Sequence, residues 1–352
     1  MGNSGLVAAP IVKARTRHRL APSRISAPLL RFGRFIIPAY LRFVLSFRKI
    51  EIRNPEKIVG ALRDFQEKRI RLIVAFRHAY GDESLLLFHV FGNLLPRWAK
   101  RLGTPLIRNP HLRVVHDFAV PLWSDAFVRF ILPRTGAVPV YHIKFDPASL
   151  KNIRGILLDD PCPLGLAPEG QISYHSETLP KIEQGTVRMG FWCARDLARA
   201  GRSEQAIVLP LSIHYQYDLR DMKKILSAIG RLETLCGCNP SLVPACIGKN
   251  ASALSSMQTR VEAIEGRVLD IVEAFYAETY DYQPPSPLPA PDGSSARQLR
   301  WEALQEVALD AAEHALGLVP NDADTVQRMY RIRQEGWDRI YLETPVDGRS
   351  PL

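Results

Sequence analysis

The chain has 352 residues, of which 46% are hydrophobic and 23% charged, and its formal net charge is +10. This composition is typical of a globular protein with one sizeable domain and an appendage, and it excludes fibrous and intrinsically disordered chains. The five cysteines are an odd number spread widely along the chain, which favours a reducing compartment over a disulfide framework.

The positive charge is concentrated at the amino terminus. Residues 1–50 contain no Asp or Glu and hold ten of the 46 lysines and arginines, so the rest of the chain has 36 basic residues against 36 acidic ones. The ten are Lys13, Arg15, Arg17, Arg19, Arg24, Arg31, Arg34, Arg42, Arg48 and Lys49. The neutral remainder argues against nucleic acid as a partner.

Residues 28–47, PLLRFGRFIIPAYLRFVLSF, are rich in Leu, Ile and Phe but include Arg31, Arg34 and Arg42. Three arginines count against a helix that spans a bilayer. Their spacing places them near one face of a helix, which is typical of a segment that lies in the membrane interface and attracts anionic headgroups. An amphipathic helix packed on the body and an organelle transit peptide are the alternatives. Two interruptions, Gly33 and Pro38, favour two short helical pieces.

Helical and strand-like patterns alternate through the next part of the chain. Residues 57–68 have helical spacing and lead into the apolar run 71–76, and residues 84–102 predict a buried helix that is interrupted at Pro96. Short apolar runs then recur at 112–123, 127–133, 136–142, 164–168 and 206–215, with a helical pattern at 186–201 that closes on Gly201. This alternation predicts an α/β domain over residues 57–220, with a mostly parallel or mixed central sheet flanked by helices.

The remaining residues predict a helical appendage. Residues 221–283 form a helical extension, residues 284–296 are a linker rich in Pro and Ser, and residues 297–352 hold further helical segments. No internal repeat is evident. Together with the basic arm at residues 1–50 and its amphipathic segment, these ranges make up the expected domain organisation.

The apolar run 71–76 ends in Arg77 and His78, and two acids, Asp82 and Glu83, follow. A His at a strand end is often structural, and acids at a helix start commonly stabilise its N-terminus. The functional interpretation is a general base whose imidazole is oriented by a carboxylate. His78 and Glu83 are five residues apart, so they can meet only across a turn.

A second group of polar residues follows another apolar run. Pro168, Glu169 and Gly170 come directly after residues 164–167. Ligand sites in open α/β sheets gather at the carboxyl ends of strands, so we expect this carboxylate near the edge where His78 emerges.

In these residues the chain resembles the glycerolipid acyltransferases, which include the lysophosphatidic acid and glycerol-3-phosphate acyltransferases. Four blocks occur in the family's order over about residues 65–220. Residues 78–83 are similar to its His-x-x-x-x-Asp block, 136–142 to its Gly-x-x-x-x-x-Arg block, 167–173 to its Phe-Pro-Glu-Gly-Thr-Arg-Ser block, and 208–210 to a short apolar strand ending in Pro.

The resemblance implies transfer of a fatty acyl group from acyl-CoA or acyl carrier protein to a hydroxyl of a lysophospholipid or related glycerolipid. The expected partners are this lipid acceptor and an anionic membrane surface, with the protein on the cytoplasmic face as a peripheral or monotopic protein. His78 would be the base, with Glu83 or Asp82 as its partner, and no metal or redox cofactor is implied. The residues expected to bind substrate are Pro168, Glu169, Gly170, Ser173, Gly136 and His142.

The chain departs from the family pattern at three positions. Glu83 stands where the family usually has Asp, and Ile172 and His142 stand where it has arginines that hold the acceptor's phosphate. An apolar Ile cannot make charge-assisted bonds to phosphate. Either other basic residues take the place of these arginines, or the acceptor carries no phosphomonoester. The residues that could take their place are Arg134, Lys144, Lys181 and Arg188. A non-catalytic membrane-associated protein on a degenerate acyltransferase scaffold is the alternative function.

Overall fold

The structure is a computed structural model that describes residues 23–140, 147–178, 182–238, 251–283, 296–319 and 324–342. The chain divides into two compact units, the first made mainly of the residues up to Tyr215 and the second mainly of Gln216 to Ile340. Of the expected linker, only Ala296 lies within the described residues, and it begins a helix.

Within the described part of the chain, the first unit contains a sheet of five strands. They are β1 (Ile70–Phe76), β2 (Arg113–Asp117), β3 (Val138–Val140), β4 (Leu164–Leu166) and β5 (Gln205–Leu211). Their order across the sheet is β3-β2-β4-β1-β5, and every neighbouring pair is parallel. The predicted α/β fold is confirmed, and all pairings in this sheet are parallel. The carboxyl ends of all these strands therefore meet at one edge, which we call the carboxyl edge.

Helices cover both faces of the sheet. They are α1 (Ala27–Phe43), α2 (Pro55–Gln66), α3 (Glu83–His89), α4 (Leu95–Arg101), α5 (Val120–Trp123), α6 (Ala126–Ile131), α7 (Pro147–Asp159) and α8 (Gly185–Arg199). On β1, Leu72 and Val74 pack in a core with α2, α3 and α4, whereas Ile73 packs with α7 and α8. Because both faces of β1 are covered, residues 72–76 of this strand are all apolar.

Three of the short apolar runs differ from their prediction. In the first, residues 112–123, the strand ends at Asp117 and helix α5 follows. Residues 127–133 lie in α6 and in a 3₁₀ turn, Leu132–Arg134, where a strand was expected. The side chain of Asp125 accepts a hydrogen bond from the backbone N–H of Val128 at 2.8 Å, and this cap favours the helix. In β5 the strand continues past Pro210 to Leu211, which an edge strand tolerates because one side of its backbone has no strand partner.

The predicted interruption near Pro96 is a change of helix type. A π-helical turn, Val90–Leu94, joins α3 to α4, and Pro96 lies in the first turn of α4. The N–H of Leu95 closes this turn on the carbonyl of Val90, and the next residue, Pro96, has no N–H to donate, so the change of helix type coincides with the missing donor.

Helix α1 is one continuous helix through Gly33 and Pro38, so the expectation of two short pieces is wrong. Gly33 allows close packing on α3, since a Cβ atom at this position would lie 3.0 Å from Cζ of Phe88. The three arginines of this segment do not share one environment. Arg31 and Arg42 are exposed, whereas Arg34 packs over Gly92 and its pKa is lowered by burial.

The second unit contains α9 (Met222–Cys236), α10 (Ala251–Tyr280), α11 (Ala296–Leu316) and α12 (Thr325–Leu342). A buried glutamate on one helix pairs with an arginine on the next helix. The pairs are Glu233–Arg260, Glu273–Arg300 and Glu313–Arg328.

Helices α10 and α11 also share a sequence pattern. Each has Gln-x-Arg-x-Glu-Ala, followed at the same distance by Leu-Asp-x-x-Glu, beginning at Gln258 in one helix and Gln298 in the other. The Arg and the final Glu of both copies belong to the buried pairs. The two helices are therefore an internal repeat that inspection of the sequence alone missed.

Candidate functional site

The loop between β1 and α3 places His78 at the carboxyl edge of the sheet. It is short, since β1 ends at Phe76 and α3 begins at Glu83. Ala79 is fully buried within it, whereas 29% of the His78 side chain is exposed. The loop therefore buries Ala79 and leaves the imidazole of the neighbouring His78 accessible to solvent.

His78 and Glu83 are in direct contact across this turn. Nδ1 of His78 lies 3.0 Å from Oε2 of Glu83. An ionised carboxylate can only accept, so Nδ1 carries the proton and the other ring nitrogen, Nε2, is left as the basic position. Among the described residues, no hydrogen bond to Nε2 is found. A base with this geometry can take a proton from a bound hydroxyl.

Glu83 is the acid that contacts His78, while Asp82 lies at the cap position of α3. The main-chain carbonyl of Asp82 accepts from the N–H groups of Leu85 and Leu86, both at 3.0 Å. Burial raises the pKa of the Asp82 carboxyl. The choice between the two acids that the sequence left open is therefore decided geometrically in favour of Glu83.

The carboxylate of Glu83 is completely buried and held by two further donors. Its Oε1 accepts from the backbone N–H of Tyr80 at 2.5 Å and from the hydroxyl of Tyr215 at 3.1 Å. Burial, reinforced by the charge of Glu83, raises the pKa of the Tyr215 hydroxyl, so it remains a donor. A buried carboxylate with partners on both oxygens has little freedom to rotate, and it fixes the direction of the His78 ring.

The loop that follows β4 lies beside the His78 loop, as predicted. Gly170 has φ +68°, a left-handed conformation that favours glycine. Its N–H donates to the carbonyl of Ala167 at 3.3 Å, and the carbonyl of Pro168 accepts from the N–H of Glu183 at 2.7 Å. These bonds shape a tight turn that directs Glu169 toward β1.

Glu169 does not have the acceptor-binding position that was expected for it. Only 1% of its side chain is exposed, so it cannot contact a bound acceptor. Its Oε1 lies 2.9 Å from Nε of Arg77 and accepts from the backbone N–H of His78 at 3.3 Å. Glu169 therefore supports the backbone that carries the base.

Arg77 is a functional candidate that the sequence reasoning missed. It is buried, and its guanidinium donates to the carbonyls of His175 at 3.1 Å, Ser176 at 3.3 Å and Thr178 at 2.6 Å. Together with Glu169, it joins the loop after β1 to the loop after β4. A charged residue directly after a buried strand was the available signal.

Ser173 also contacts the His78 loop. Its backbone N–H donates to the carbonyl of His78 at 2.9 Å, and its hydroxyl lies within hydrogen-bond distance of the carbonyls of His78 and His175. The structure thus brings five predicted residues together at the carboxyl edge. They are His78, Glu83, Pro168, Glu169 and Ser173, with Asp82 and Gly170 adjacent in the same loops.

Gly136 does not belong to this group. It precedes β3, and its φ of +78° and close contact with Ile25 explain why a glycine is present there. Val138 of β3 pairs with Val115 of β2, so Gly136, two residues earlier, is level with Arg113 of β2. Arg113 is in turn level with Leu164 of β4 and Ile73 of β1. Gly136 is thus five residues below His78, about 16 Å along the strand direction. The expected contact with substrate is wrong because Gly136 is at the amino end of its strand.

The basic candidates Arg134 and Arg188 are exposed, and each donates a hydrogen bond to the residue four positions before it. Arg134 precedes Gly136, donates to the carbonyl of Phe130 at 2.7 Å and stacks on that ring. Arg188, in the first turn of α8, donates to Oε1 of Gln184 at 2.9 Å. The remaining candidates, Lys144 and Lys181, and the predicted substrate residue His142 lie outside the described residues.

Within the described ranges, no three His, Cys, Asp or Glu side chains converge in a way that could hold a metal ion. Comparison of the chain with models of known protein families, with curated proteins and with solved structures finds no match. The similarity to acyltransferases therefore rests on the motif residues.

Proposed function

We propose that the protein transfers an acyl group from a thioester, on coenzyme A or acyl carrier protein, to the hydroxyl of a lysophospholipid or related glycerolipid. The observation that carries this proposal is the contact between Nδ1 of His78 and Oε2 of Glu83 at 3.0 Å, on an imidazole that is 29% exposed at the carboxyl edge. This is the arrangement that a general base requires.

In the proposed reaction, Nε2 of His78 takes the hydroxyl proton while the acceptor oxygen attacks the thioester carbonyl. A new C–O bond forms and the carbonyl oxygen becomes an oxyanion. Glu83 stabilises the imidazolium through Nδ1. When the intermediate collapses, the C–S bond breaks and His78 returns the proton to the departing thiolate. No covalent acyl-enzyme is needed because a thioester is already an activated donor.

The acceptor's headgroup is constrained by what surrounds the base. Ile172 stands where the acyltransferase family has an arginine. Arg77 already donates to three carbonyls and pairs with Glu169. Recognition of a phosphomonoester normally needs a charge-assisted, often bidentate contact. We therefore favour an acceptor whose phosphate is a diester, or one without phosphate.

The outer face of α1 supports membrane binding. It exposes the large apolar side chains Phe32, Phe35, Ile36, Tyr40 and Phe43, of which Phe35 is 83% and Phe43 80% exposed. Four exposed basic residues lie close to these apolar side chains in the sequence: Arg31, Arg42, Arg48 and Lys49. Apolar side chains bordered by arginine and lysine match an anionic lipid surface. No helix in the described ranges has both the length and the apolar content that crossing a bilayer requires.

The direct test is an assay with radiolabelled acyl-CoA, and in parallel with acyl carrier protein, against lysophospholipids, lysophosphatidic acid and simple alcohols, with the product identified. The expected result is an ester product from the wild type, and a rate at least about 100-fold lower from His78→Ala at unchanged circular dichroism. The exposed His214 provides a matched control, because His214→Ala should keep the wild-type rate. Absence of product from every donor and acceptor would reject the enzyme and favour the non-catalytic alternative.

The α1 surface is tested by flotation with vesicles of phosphatidylglycerol and of phosphatidylcholine. The wild type should bind anionic vesicles more strongly, and the double change Phe35→Ser with Phe43→Ser should lower that binding by about tenfold or more, because two exposed apolar side chains are removed. Leu235→Ser, which changes an apolar side chain on α9 that is 74% exposed, serves as the control. Unchanged flotation of the double variant would show that this face is not the lipid contact.

A further inference from the structure

Tyr215 lies at the end of the first unit, far along the chain from the base, yet it contacts the base's partner. Its hydroxyl donates to Oε1 of Glu83 at 3.1 Å, on the oxygen that does not face His78. Three successive groups are thus connected, from phenol to carboxylate to imidazole. Neither the motif blocks nor the proposed reaction assigned Tyr215 a role.

The ring of Tyr215 is held from several sides. It stands edge-on to the ring of Tyr80, with centroids 4.9 Å apart at 88°, and it lies against Phe47 with centroids 5.8 Å apart. Its own backbone N–H is 3.4 Å from Oγ of Ser176. The Phe47 N–H in turn donates to the carbonyl of Leu41 at 2.8 Å, which fixes it to the end of α1. The phenol therefore approaches Glu83 from a fixed direction.

The hydroxyl is suited to act as a permanent donor. Burial raises the pKa of Tyr215, so the phenol does not compete as an anion with Glu83. The carboxylate has four lone-pair positions, and the Tyr80 N–H and Tyr215 O–H occupy one oxygen. The other oxygen is then directed to Nδ1 of His78.

We propose that Tyr215 is a positioning residue of the base: its hydroxyl fixes the Glu83 carboxylate and thereby keeps the proton of His78 on Nδ1. The inference rests on the proposed function, because only a base at Nε2 needs this tautomer. It deepens that function by adding a third member to the His78–Glu83 pair. Tyr215 itself touches no reacting atom.

The kinetic test compares Tyr215→Phe with Tyr217→Phe. The first change removes only the hydroxyl that Glu83 accepts, and the second removes the hydroxyl of a tyrosine that is 80% exposed two residues later. Loss of a hydrogen bond to a charged group is expected to lower kcat about tenfold or more. The KM for the acceptor should change less than about twofold, because Tyr215 does not contact it. A kcat equal to that of Tyr217→Phe, or an effect on KM alone, would overturn the proposal.

A second measurement does not depend on turnover. The ¹⁵N shifts of histidine imidazoles distinguish a proton on Nδ1 from a proton on Nε2, and the His78 signals are assigned by their loss in His78→Ala. The wild type and Tyr217→Phe should show the Nδ1–H form of neutral His78, whereas Tyr215→Phe should shift a measurable fraction to the Nε2–H form. Glu83→Gln provides the reference for loss of the carboxylate.

The two measurements separate the two proposals. If the wild type makes no ester with any acceptor but Tyr215→Phe changes the tautomer, the positioning of His78 by Tyr215 stands and acyl transfer falls. If ester forms and Tyr215→Phe leaves both kcat and the tautomer unchanged, Tyr215 is a packing residue and this inference falls. Retained circular dichroism and thermal stability of Tyr215→Phe exclude unfolding as the cause of either change.

Discussion

Charged side chains are buried both at the carboxyl edge of the sheet and in the helical second unit, but they bond differently. At the sheet edge, Arg77 donates to carbonyls of a loop, and Glu83 accepts from a backbone N–H, a phenol and an imidazole. In the second unit, glutamate and arginine side chains pair directly from helix to helix, for example Glu233–Arg260.

The comparison shows that a buried charge alone does not identify a functional site. The charges of the helical pairs are fixed, since each glutamate contacts an arginine, and arginine keeps its charge near neutral pH. The network at the sheet edge ends on the imidazole of His78, which is 29% exposed. A change in the first network should therefore affect a reaction, and a change in the second should affect stability.

Among the changes that compare the two regions, the largest effect is expected at Glu83, the partner of the base. Glu83→Ala should lower the acyl-transfer rate roughly 10²- to 10³-fold, because the imidazole loses both its orientation and the charge that stabilises its cation. Asp82→Ala is the matched control, since this neighbouring acid does not contact His78, and it should change the rate less than about threefold. Steady-state assays at saturating donor measure both. A larger loss in Asp82→Ala than in Glu83→Ala would reverse the assignment of the pair.

Removing a buried glutamate from the second unit should lower the stability of the protein rather than its acyl-transfer rate. Glu313 is 2% exposed and pairs with Arg328 and Arg331, so Glu313→Ala leaves two guanidinium groups without their buried partner. Loss of about 3 kcal/mol in the free energy of unfolding is expected. Glu265→Ala breaks the pair with Arg297, which is exposed on both sides, and should cost less than about 1 kcal/mol. Urea unfolding measures both.

Activity per folded molecule decides whether the two networks are separate. If Glu313→Ala retains the wild-type rate once the folded fraction is taken into account, its charges serve the helices alone. A drop in rate comparable to that of Glu83→Ala would abolish the distinction between the two regions.

The sequence predicted the pattern of elements better than it predicted their ends. The apolar residues 72–76 of β1 and the alternation of strands with helices were enough to predict the α/β class, because a parallel sheet covered on both faces needs such runs. The position of Gly136 was not predictable in the same way. A motif read along the chain does not say which end of a strand carries it, and Gly136 lies at the amino end of β3.

Part of the candidate site was predictable as a set of residues, but its contacts were not. The spacing of His78 and Glu83 required a turn, and the path of that turn decided between Asp82 and Glu83. Glu169 is buried against Arg77, which bonds across two loops, and the contact of Tyr215 with Glu83 depends on β5 lying next to β1. Contacts between residues this far apart leave no signature in a single sequence.

Acid should weaken the first unit at a higher pH than the second. Burial lowers the pKa of His89, His111 and His116 from 6.5, so the unfolded chain takes up these protons before the folded chain does. Their contribution to stability is present above pH 6.5 and is lost progressively as the pH falls below it. In the second unit, Arg260 and Arg328 lower the pKa of Glu233 and Glu313 from 4.5, so that contribution persists until the pH falls below 4.5.

Hydrogen exchange followed by mass spectrometry at pH 7.5, 6.5 and 5.5 measures this difference peptide by peptide after correction for the intrinsic exchange rate. Between pH 7.5 and 5.5, the opening free energy should fall for peptides of β1 to β4 and stay constant for those of α10 to α12. His111→Gln keeps a donor for the carbonyl of Thr135 but cannot titrate, so the opening free energy of the first unit should depend slightly less on pH in this variant. His214→Gln, at an exposed position, should leave that pH dependence unchanged. A parallel fall in both units would mean that the buried histidines do not set the acid sensitivity of the sheet.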